Sequence, residues 1–573
     1  MLRESEPRLI GETVVLGVVG ALAAQLFTWA LRLCERFFLV LLAGYRPPGL
    51  PQDGGVLKQV IGSHGLWLVP LATTLGGLLS GFLVYTWAPE AEGHGTDTVV
   101  KAFHRAGGFI RARVAPLKLV ASAITIGSGG SAGREGPTAL IGAGVGSLYA
   151  TFFHRTDEER EILLLAGMAA GLSAIFRSPI GAAFFAIEVL YGSMDFESRG
   201  LLYTMLASVV AYAVNGLFVG WQPLFYFPPF GSIHAFDYAW LCVLGVAGGL
   251  VATLLPVVFY RLRDLFRELP LPPVLNPAIG GLGVGLLALK FPQVLGGGYG
   301  WIQEAINGGL ALKLLLVLLF LKIIAFALTV SSGGSGGVFA PTLFVGAMLG
   351  GVVASLSHLP TAMFVVLGMM TTFGAAARVP IASMLMVTEM TGGYRLLPPA
   401  AFAVLLSYLV QTSLSQHVKY HSLYEAQVTG RAQSPARYVE HVQLALQLLG
   451  ATGIPSAAAV GHLDLVTLLD SGVPLKMPGR KELSVGVLRP ESSFVGKTIQ
   501  ACYEAAGGAS LEVIAILRNG EVLLPRADSI LQEGDRLLII GSRNARNRVA
   551  EHFAPVEKAP PPPLSTTVKT TRS

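Results

Sequence analysis

The stretch GSGGSAGREGP at residues 127–137 lies between two apolar segments, and SSGGSGGVFAP at residues 331–341 lies in a similar position later in the chain. Both stretches contain Ser-Gly-Gly-Ser-x-Gly and end in proline, and Pro137 and Pro341 are 204 residues apart. A glycine-rich run that enters a helix exposes unpaired backbone N–H groups at the helix N-terminus, where anions bind. The sequence therefore predicts two anion-binding loops.

A second pair of similar stretches follows, FRSPIGAAFFAIEVL at 176–190 and ARVPIASMLMVTEMT at 377–391. The matched residues, both at an offset of 201, are Pro179 with Pro380 and Glu188 with Glu389. Two ordered matches at nearly one offset indicate an internal duplication, with halves at about 1–215 and 216–430. Repeated halves with Gly- and Pro-broken apolar segments are typical of transport sites at a repeat interface. The alternative is that the glycines only permit close helix packing.

The composition is that of a membrane protein. Of 573 residues, 52% are hydrophobic and 13% are charged, and the mean hydropathy is +0.60; soluble domains carry about 25% charged residues. Several apolar stretches approach the roughly 20 residues that span hydrocarbon. They lie at 13–32, 65–88, 161–176, 239–259, 311–330, 342–357 and 397–415. Glycine and proline breaks between them are tolerated only inside protein or beside a wet cavity. We predict an all-α polytopic membrane protein with tilted and broken helices.

Charge and cysteine content exclude several classes. The net charge of +6 is explained by basic cytoplasmic loops rather than by nucleic-acid binding. The N-terminal MLRESEPRL is charged, and no small-residue cleavage site follows the first apolar run, so we expect no cleaved signal peptide. The cysteines lie far apart and give no metal or disulfide pattern; they are Cys34, Cys242 and Cys502. We expect no cofactor and no metal.

The domain organisation follows from a change of pattern near the end of the apolar part, 1–430. Residues 431–480 are predicted to form a connector with an amphipathic helix at 436–450. From 481 to 555, short alternating strands and helix-like stretches predict a small cytosolic α+β domain. Asn-Gly in RNGE, 518–521, predicts a hairpin turn. The Pro- and Thr-rich tail, 556–573, is predicted to be disordered.

Three side chains in or beyond the loops suggest chemistry. Glu135 lies in the first loop, where a carboxylate at membrane depth is costly and is functional by default. It would compete with an anion and leave when protonated, which makes it a candidate gate and proton acceptor; alternatively it pairs with Arg134 or another basic group. Phe339 either shapes the anion site with its electropositive ring edge or only packs. Tyr424 either donates its hydroxyl to an anion or is an interfacial aromatic.

The motifs GREGP at 133–137 and GGVFAP at 336–341 together resemble the CLC family of chloride channels and proton-coupled chloride transporters, over roughly residues 10–430. The resemblance implies an inverted-repeat fold and a homodimer with one pore in each subunit. It also implies a multi-pass protein of the bacterial inner membrane with both termini cytoplasmic. The implied site residues are Glu135 as the gate, Phe339 at the anion site, Tyr424 at the inner gate, and the backbone amides of Gly133, Arg134, Gly136, Val338 and Phe339.

Two departures from the family pattern bear on function. Where the family has Gly-Ser-Gly-Ile-Pro, this chain has GHGTD at 93–97, so His94 stands at an anion-binding position. A histidine there predicts altered anion preference and pH sensitivity, unless the ring packs aside and backbone amides bind the ion. In many family antiporters a proton-passing glutamate follows the Ile-Glu pair; here Val189 follows Glu188, as in the channel branch.

The C-terminal domain, 481–555, resembles the TrkA-C subdomain of regulators of potassium channels and potassium uptake, best at GDRLLIIGS, 534–542. Many CLC relatives carry CBS domains instead. The resemblance implies a regulatory or dimerising module that takes a small ligand.

Three functions are compatible with parts of this sequence. Val189 favours a passive channel for chloride or similar small anions, gated by Glu135 and opening in acid. The alternative is a proton-coupled chloride or fluoride antiporter, which Glu135 and an ionisable His94 support. A membrane enzyme or nucleotide-binding protein would use GAGVGS, 142–147, but that run lies in an apolar helix-like stretch without a preceding strand. We therefore expect a channel and no enzyme. A cation pathway is disfavoured because the loops offer amides and few acids.

Overall fold

The computed structural model describes residues 6–229, 231, 234–431, 434, 436, 475–477, 481–505, 511–518, 521–523, 529–542 and 553–554. The chain divides into two compact units, one ending at Ala436 and the other beginning at Arg437. The helix predicted at 436–450, apart from Ala436, and the tail predicted at 556–573 lie outside the described residues.

The described part of the first unit is a set of helices joined mostly by short turns. They are α1 Glu6–Glu35, α2 Val69–Trp87, α3 Thr96–Arg105, α4 Val114–Gly127, α5 Glu135–Phe152, α6 Asp157–Phe176, α7 Pro179–Glu188, α8 Leu201–Val219, α9 Asp237–Glu268, α10 Asn276–Ala288, α11 Tyr299–Ile306, α12 Leu312–Ser331, α13 Phe339–Ser357, α14 Thr361–Ala376, α15 Pro380–Thr391 and α16 Leu397–Ser415. A π-helical turn, Arg36–Leu42, extends α1. One small exception to the all-α prediction is a hairpin between α1 and α2, formed by β1 Tyr45–Arg46 and β2 Val60–Ile61.

The length and composition of several described helices suit a membrane span. They are α1, α2, α8, α9, α12, α13 and α16, while α4, α7 and α14 are apolar but shorter. Each apolar stretch predicted from sequence overlaps a helix over most of its length, as expected. Helix α8 was not among them because Tyr, Thr, Ser and Asn interrupt its apolar run. The part of the unit that the structure describes is therefore polytopic and helical, with short helices buried inside it.

Matched glycine pairs bring helices into close contact in each half. A Cβ added to Gly142 of α5 would lie 2.2 Å from the carbonyl oxygen of Gly167 in α6. A Cβ added to Gly346 of α13 would lie 2.3 Å from the carbonyl oxygen of Gly368 in α14. The GAGVGS run is therefore part of helix α5, and its first glycine lets two helix backbones touch.

Two glutamates show that the repeat is inverted. The Glu188 carboxylate, at the end of α7, accepts hydrogen bonds from the backbone N–H groups of Ile381 (3.1 Å) and Ala382 (2.7 Å), in the first turn of α15. In return Glu389, near the end of α15, accepts from Gly181 in α7 at 2.8 Å. Each half caps a helix of the other half, where a carboxylate is favoured by the helix dipole. Such an exchange requires α7 and α15 to run antiparallel, and it confirms the inverted-repeat prediction.

The second unit contains an antiparallel sheet with strand order β3-β4-β7-β5-β6, and β8 pairs with β4. Its elements are β3 Leu475–Met477, β4 Lys481–Leu488, α17 Ile499–Ala505, β5 Leu511–Arg518, β6 Glu521–Leu523, β7 Arg536–Ser542 and β8 Phe553–Ala554. Arg518 pairs with Glu521 in register, as a two-residue turn requires, although residues 519–520 themselves lie outside the described residues. Strand β3 falls in the predicted connector, because three residues are too short to show alternation.

An ion pair anchors the β5–β6 hairpin to the sheet of the second unit. The guanidinium of Arg518 donates two hydrogen bonds of 2.8 Å to the buried carboxylate of Asp535. This bidentate contact raises the pKa of Arg518 above its ordinary value. The geometry fixes the start of β7 against the end of β5.

Substituting Gly142 with alanine tests the close contact between α5 and α6. The added methyl group overlaps the backbone of Gly167, so we expect Gly142→Ala to lower the free energy of unfolding by about 1–3 kcal/mol. The measurement is the thermal unfolding midpoint of the detergent-purified protein. Gly11→Ala is the matched control, since a Cβ there meets nothing within 4 Å. Equal midpoints for the two variants would contradict the close crossing.

Candidate functional site

The two glycine-rich loops meet in a reciprocal backbone contact. The N–H of Gly133 donates to the carbonyl of Gly337 at 2.8 Å, and the N–H of Gly337 donates to the carbonyl of Gly133 at 2.7 Å. The two glycines are related by the 204-residue offset of the repeat. Helix α5 begins at Glu135 and helix α13 begins at Phe339, so both helix N-termini start beside this bridge. Their partial positive charges therefore converge on one place.

The side chain of Glu135 occupies this place. It is 3% exposed, and its Oε1 accepts a hydrogen bond from the backbone N–H of Phe339. Its Oε2 has no hydrogen-bond partner among the described residues. A carboxylate held by the first amide of a helix is in the position that a bound anion would take.

Glycine is required on both sides of the carboxylate. A Cβ added to Gly133 would lie 2.0 Å from Oε2 of Glu135, and one added to Gly337 would lie 2.1 Å from Oε1. Any other residue at either position would fill the space that the carboxylate uses. We call this space, bounded by Gly133, Gly337 and the backbone N–H of Phe339, the anion cleft.

The turn that carries His94 packs directly against the anion cleft. A Cβ added to Gly136, in the first turn of α5, would lie 1.8 Å from the carbonyl oxygen of His94. The buried Lys118 of α4 holds the turn by donating to the carbonyl oxygens of Ala91 (3.0 Å) and Gly93 (2.6 Å). The backbone of His94 is therefore held against Gly136, the residue that follows Glu135.

The imidazole of His94 is 7% exposed, and its two nitrogens differ. Nε2 lies 3.3 Å from Oδ2 of Asp97, while Nδ1 is buried without a hydrogen-bond partner in the described part of the chain. The other oxygen of Asp97 accepts from the backbone N–H of Ala426 at 3.1 Å. The ring centroid of His94 is 5.3 Å from that of Tyr424. The structure thus places the rings of His94 and Tyr424 side by side and adds Asp97 as the partner of the imidazole.

A chain of aromatic rings connects the anion cleft to Tyr424. Phe339 and Phe373 have ring centroids 4.4 Å apart, Phe373 and Phe185 6.2 Å, and Phe185 and Tyr424 6.3 Å. The ring centroid of Phe339 also lies 4.9 Å from that of Phe176. These rings are apolar surfaces whose edges are mildly electropositive. Val338, the residue immediately before α13, is also buried.

Asp53 engages the arginine of the first loop. The guanidinium of Arg134 lies 3.3 Å from Oδ2 of Asp53 and 4.8 Å from the ring centroid of Tyr299. Arg177 donates to the other oxygen of Asp53 at 2.6 Å. Arg134 therefore forms its ion pair with Asp53 and not with Glu135, contrary to one of the alternatives for this carboxylate.

Val189 lies just after α7 and is fully buried. Its carbonyl oxygen accepts a hydrogen bond of 3.1 Å from Nε2 of Gln427, in the same segment as Tyr424. The side chain at this position is an aliphatic group that can neither bind nor release a proton.

Sequence reasoning missed Asp97, Lys118, Asp53 and Arg177. A signal for Lys118 existed, since Lys322 follows it by the repeat offset of 204. Lys322 makes the equivalent contacts, donating to the carbonyls of Val294 (2.8 Å) and Gly296 (2.6 Å). For the partners of Arg134 there was no sequence signal, because Asp53 comes from a loop outside both motifs.

Comparisons with known proteins identify the family of the chain. The family model described as voltage gated chloride channel matches residues 76–412, and the TrkA-C domain model matches residues 487–554. The chain is 32% identical over 431 residues to a protein from Escherichia coli named voltage-gated ClC-type chloride channel ClcB, covering 72% of this chain and 99% of the relative.

Solved structures share the fold. A CLC-type fluoride/proton antiporter superposes with a TM-score of 0.63 at 24% identity, covering 75% of this chain and 100% of that chain. A slow cyanobacterial Cl⁻/H⁺ antiporter gives 0.64 at 22% identity, covering 74% and 97%. These matches confirm both resemblances drawn from the sequence. The chain therefore belongs to the CLC family of membrane anion-transport proteins and carries a TrkA-C domain after its transport domain.

Proposed function

We propose that this protein exchanges chloride or a similar small anion for protons across a membrane. The observation that carries the proposal is the position of Glu135, whose carboxylate fills the anion cleft and accepts a hydrogen bond from the backbone N–H of Phe339. The cleft then has one place for a negative charge, which either the side chain or a transported anion takes.

This competition couples the two ions. While Glu135 is ionised and in the cleft, an arriving anion is repelled and finds its donor already used. When the carboxylate leaves and takes a proton outside, the cleft becomes free for the anion. When the protonated side chain returns and releases its proton on the other side, it displaces the anion. One group thus moves protons one way and anions the other, with no step that leaves the cleft open to both sides.

The passive channel expected from sequence is the second candidate, and the burial of Val189 is the observation that favours it. Two fold relatives are described as antiporters and the ClcB relative as a channel. A shared fold does not decide between these activities. We give more weight to Glu135, because a carboxylate that blocks the anion site is an obstacle for a channel and a working part for an exchanger.

The remaining features of the proposal concern orientation and assembly. The connection between α3 and α4, residues 106–113, contains Arg111 and Arg113 and no acidic residue, so we place this side in the cytoplasm. We propose a bacterial inner-membrane protein with both termini cytoplasmic, working as a homodimer with one pathway in each subunit. The TrkA-C domain is proposed to bind a small regulatory ligand. No enzymatic step is proposed.

Liposomes containing the purified protein test the exchange. With high chloride inside, low chloride outside and equal pH, we expect outward chloride flow to drive protons inward. A potassium ionophore is present to dissipate the membrane potential. Inward proton flow acidifies the lumen and raises the pH of the outer solution, which is recorded with a pH electrode. Chloride efflux without any proton movement would show that the protein is a passive channel and reject the proposal.

Glu135→Gln tests the role of the carboxylate in the same assay. A carboxamide is uncharged and takes up no proton, so we expect proton movement to fall at least tenfold while anion flux persists with a weaker pH dependence. Glu158→Gln, an exposed position in the first turn of α6, is the matched control and should retain the coupling of wild type. Undiminished proton coupling in the Glu135 variant would exclude this carboxylate as the proton carrier.

A further inference from the structure

A cavity of about 610 Å³ leads to the imidazole of His94. Its lining includes both signs of charge: the basic residues Lys101, Arg105, Arg111, Arg263 and Arg267, and the acidic residues Glu90, Glu92, Asp97 and Glu425. A vestibule of this composition can hold mobile anions near its basic groups and pass protons between its acidic groups and water. His94 and Asp97 both line this cavity, and the backbone carbonyl of His94 packs against Gly136 of α5.

The state of the imidazole decides whether it can bind an anion. Neutral histidine carries one N–H, and the 3.3 Å contact between Nε2 and Asp97 assigns it to Nε2. The unpartnered Nδ1 is then a lone pair, which repels an anion. Protonation puts an N–H on Nδ1 and a positive charge on the ring, so the same atom becomes a donor to an anion. Asp97, held by the backbone N–H of Ala426, stabilises the imidazolium that forms.

We propose that His94 and Asp97 form a proton-dependent anion ligand, which takes up a proton from the cavity as an anion binds beside Nδ1. The pair supplies a proton-binding group at the wall of the cavity, whereas the side chain of Val189 can bind no proton. This inference rests on the proposed function only for the location of the anion pathway. It holds equally for an exchanger and for a passive pore, because it concerns binding and not the coupling of two flows.

Other charged and titratable groups surround His94 and contribute to its behaviour. They are Glu92 and Lys101 from its own segment, Lys118 from α4, Glu135 from α5, Tyr260, Arg263 and Arg267 from α9, Tyr424 and Glu425 from the segment after α16, and Glu90, Arg105 and Arg111 at the cavity wall. Among these, Glu135 is the other group whose protonation would be linked to anion binding. A test of His94 must therefore remove Glu135.

The experiment is calorimetric titration of chloride into the full-length Glu135→Gln protein in detergent, at several pH values and in buffers of different ionisation enthalpy. The dependence of the heat on the buffer gives the number of protons taken up per anion bound. We expect proton uptake with chloride. By linkage, the affinity for chloride then falls as the pH rises, by up to about tenfold per pH unit when one full proton is bound.

Two further substitutions in that background identify the group. His94→Gln keeps a polar side chain but binds no proton, so proton uptake and the pH dependence of the affinity should both be lost. Asp97→Asn removes the carboxylate that lies 3.3 Å from Nε2, so proton-linked chloride binding should be weaker.

His104→Gln is the matched control, on the same helix as Asp97. Its ring nitrogens contact Ser434 Oγ at 2.7 Å and the carbonyl of Leu190 at 2.9 Å, and it does not line the cavity. This variant should take up protons as the parent does. Chloride binding without proton uptake while His94 is present, or unchanged uptake in His94→Gln, would overturn the inference. Neither outcome depends on the liposome assay, so the failure of exchange and the failure of this ligand are separate results.

Discussion

Two backbone hydrogen bonds between Gly133 and Gly337 are the constraint on which the rest of the transport unit depends. They hold the N-termini of α5 and α13 beside each other. This arrangement concentrates partial positive charge and favours the binding of an anion. Both positions must be glycine, because any side chain would occupy the anion cleft. Backbone dipoles suit transport better than full charges, since a lysine or arginine in the cleft would hold the anion too tightly for passage. Lys118 and Lys322 are instead bound to carbonyl oxygens, and each fixes a neighbouring loop.

The framework is symmetric but its chemistry is not. Glu135 and Phe339 are equivalent positions of the repeat, 204 residues apart, and one supplies the carboxylate while the other supplies the amide that binds it. The turn GHG at 93–95 similarly corresponds to GGG at 296–298, so His94 has a glycine as its counterpart. A duplicated scaffold thus forms one cleft with two different walls. The two walls therefore differ in chemistry, although their backbones match.

The sequence was sufficient to predict the duplication, the broken helices and the residues that meet at the cleft, because each depends on a motif or a fixed offset. It did not predict that Asp97 is the partner of His94. The carboxylate of Asp97 is positioned by a hydrogen bond from the backbone N–H of Ala426, which lies 329 residues later in the chain. The pairing of Arg134 with Asp53 was missed for the same reason: the aspartate lies in a loop without a motif. Strand β3 was too short to leave a pattern. The choice between channel and exchanger depends on how Glu135 moves, which neither a motif nor spacing encodes.

The central claim is that one cleft holds either the Glu135 carboxylate or an anion. The most direct measurement is the crystal structure of Glu135→Gln grown in bromide, with the anion located by its anomalous scattering. We expect a bromide within hydrogen-bonding distance of the backbone nitrogen of Phe339, between Gly133 and Gly337, with the substituted side chain displaced from the cleft. Bromide bound elsewhere along the pathway, with the substituted side chain still in the cleft, would contradict it.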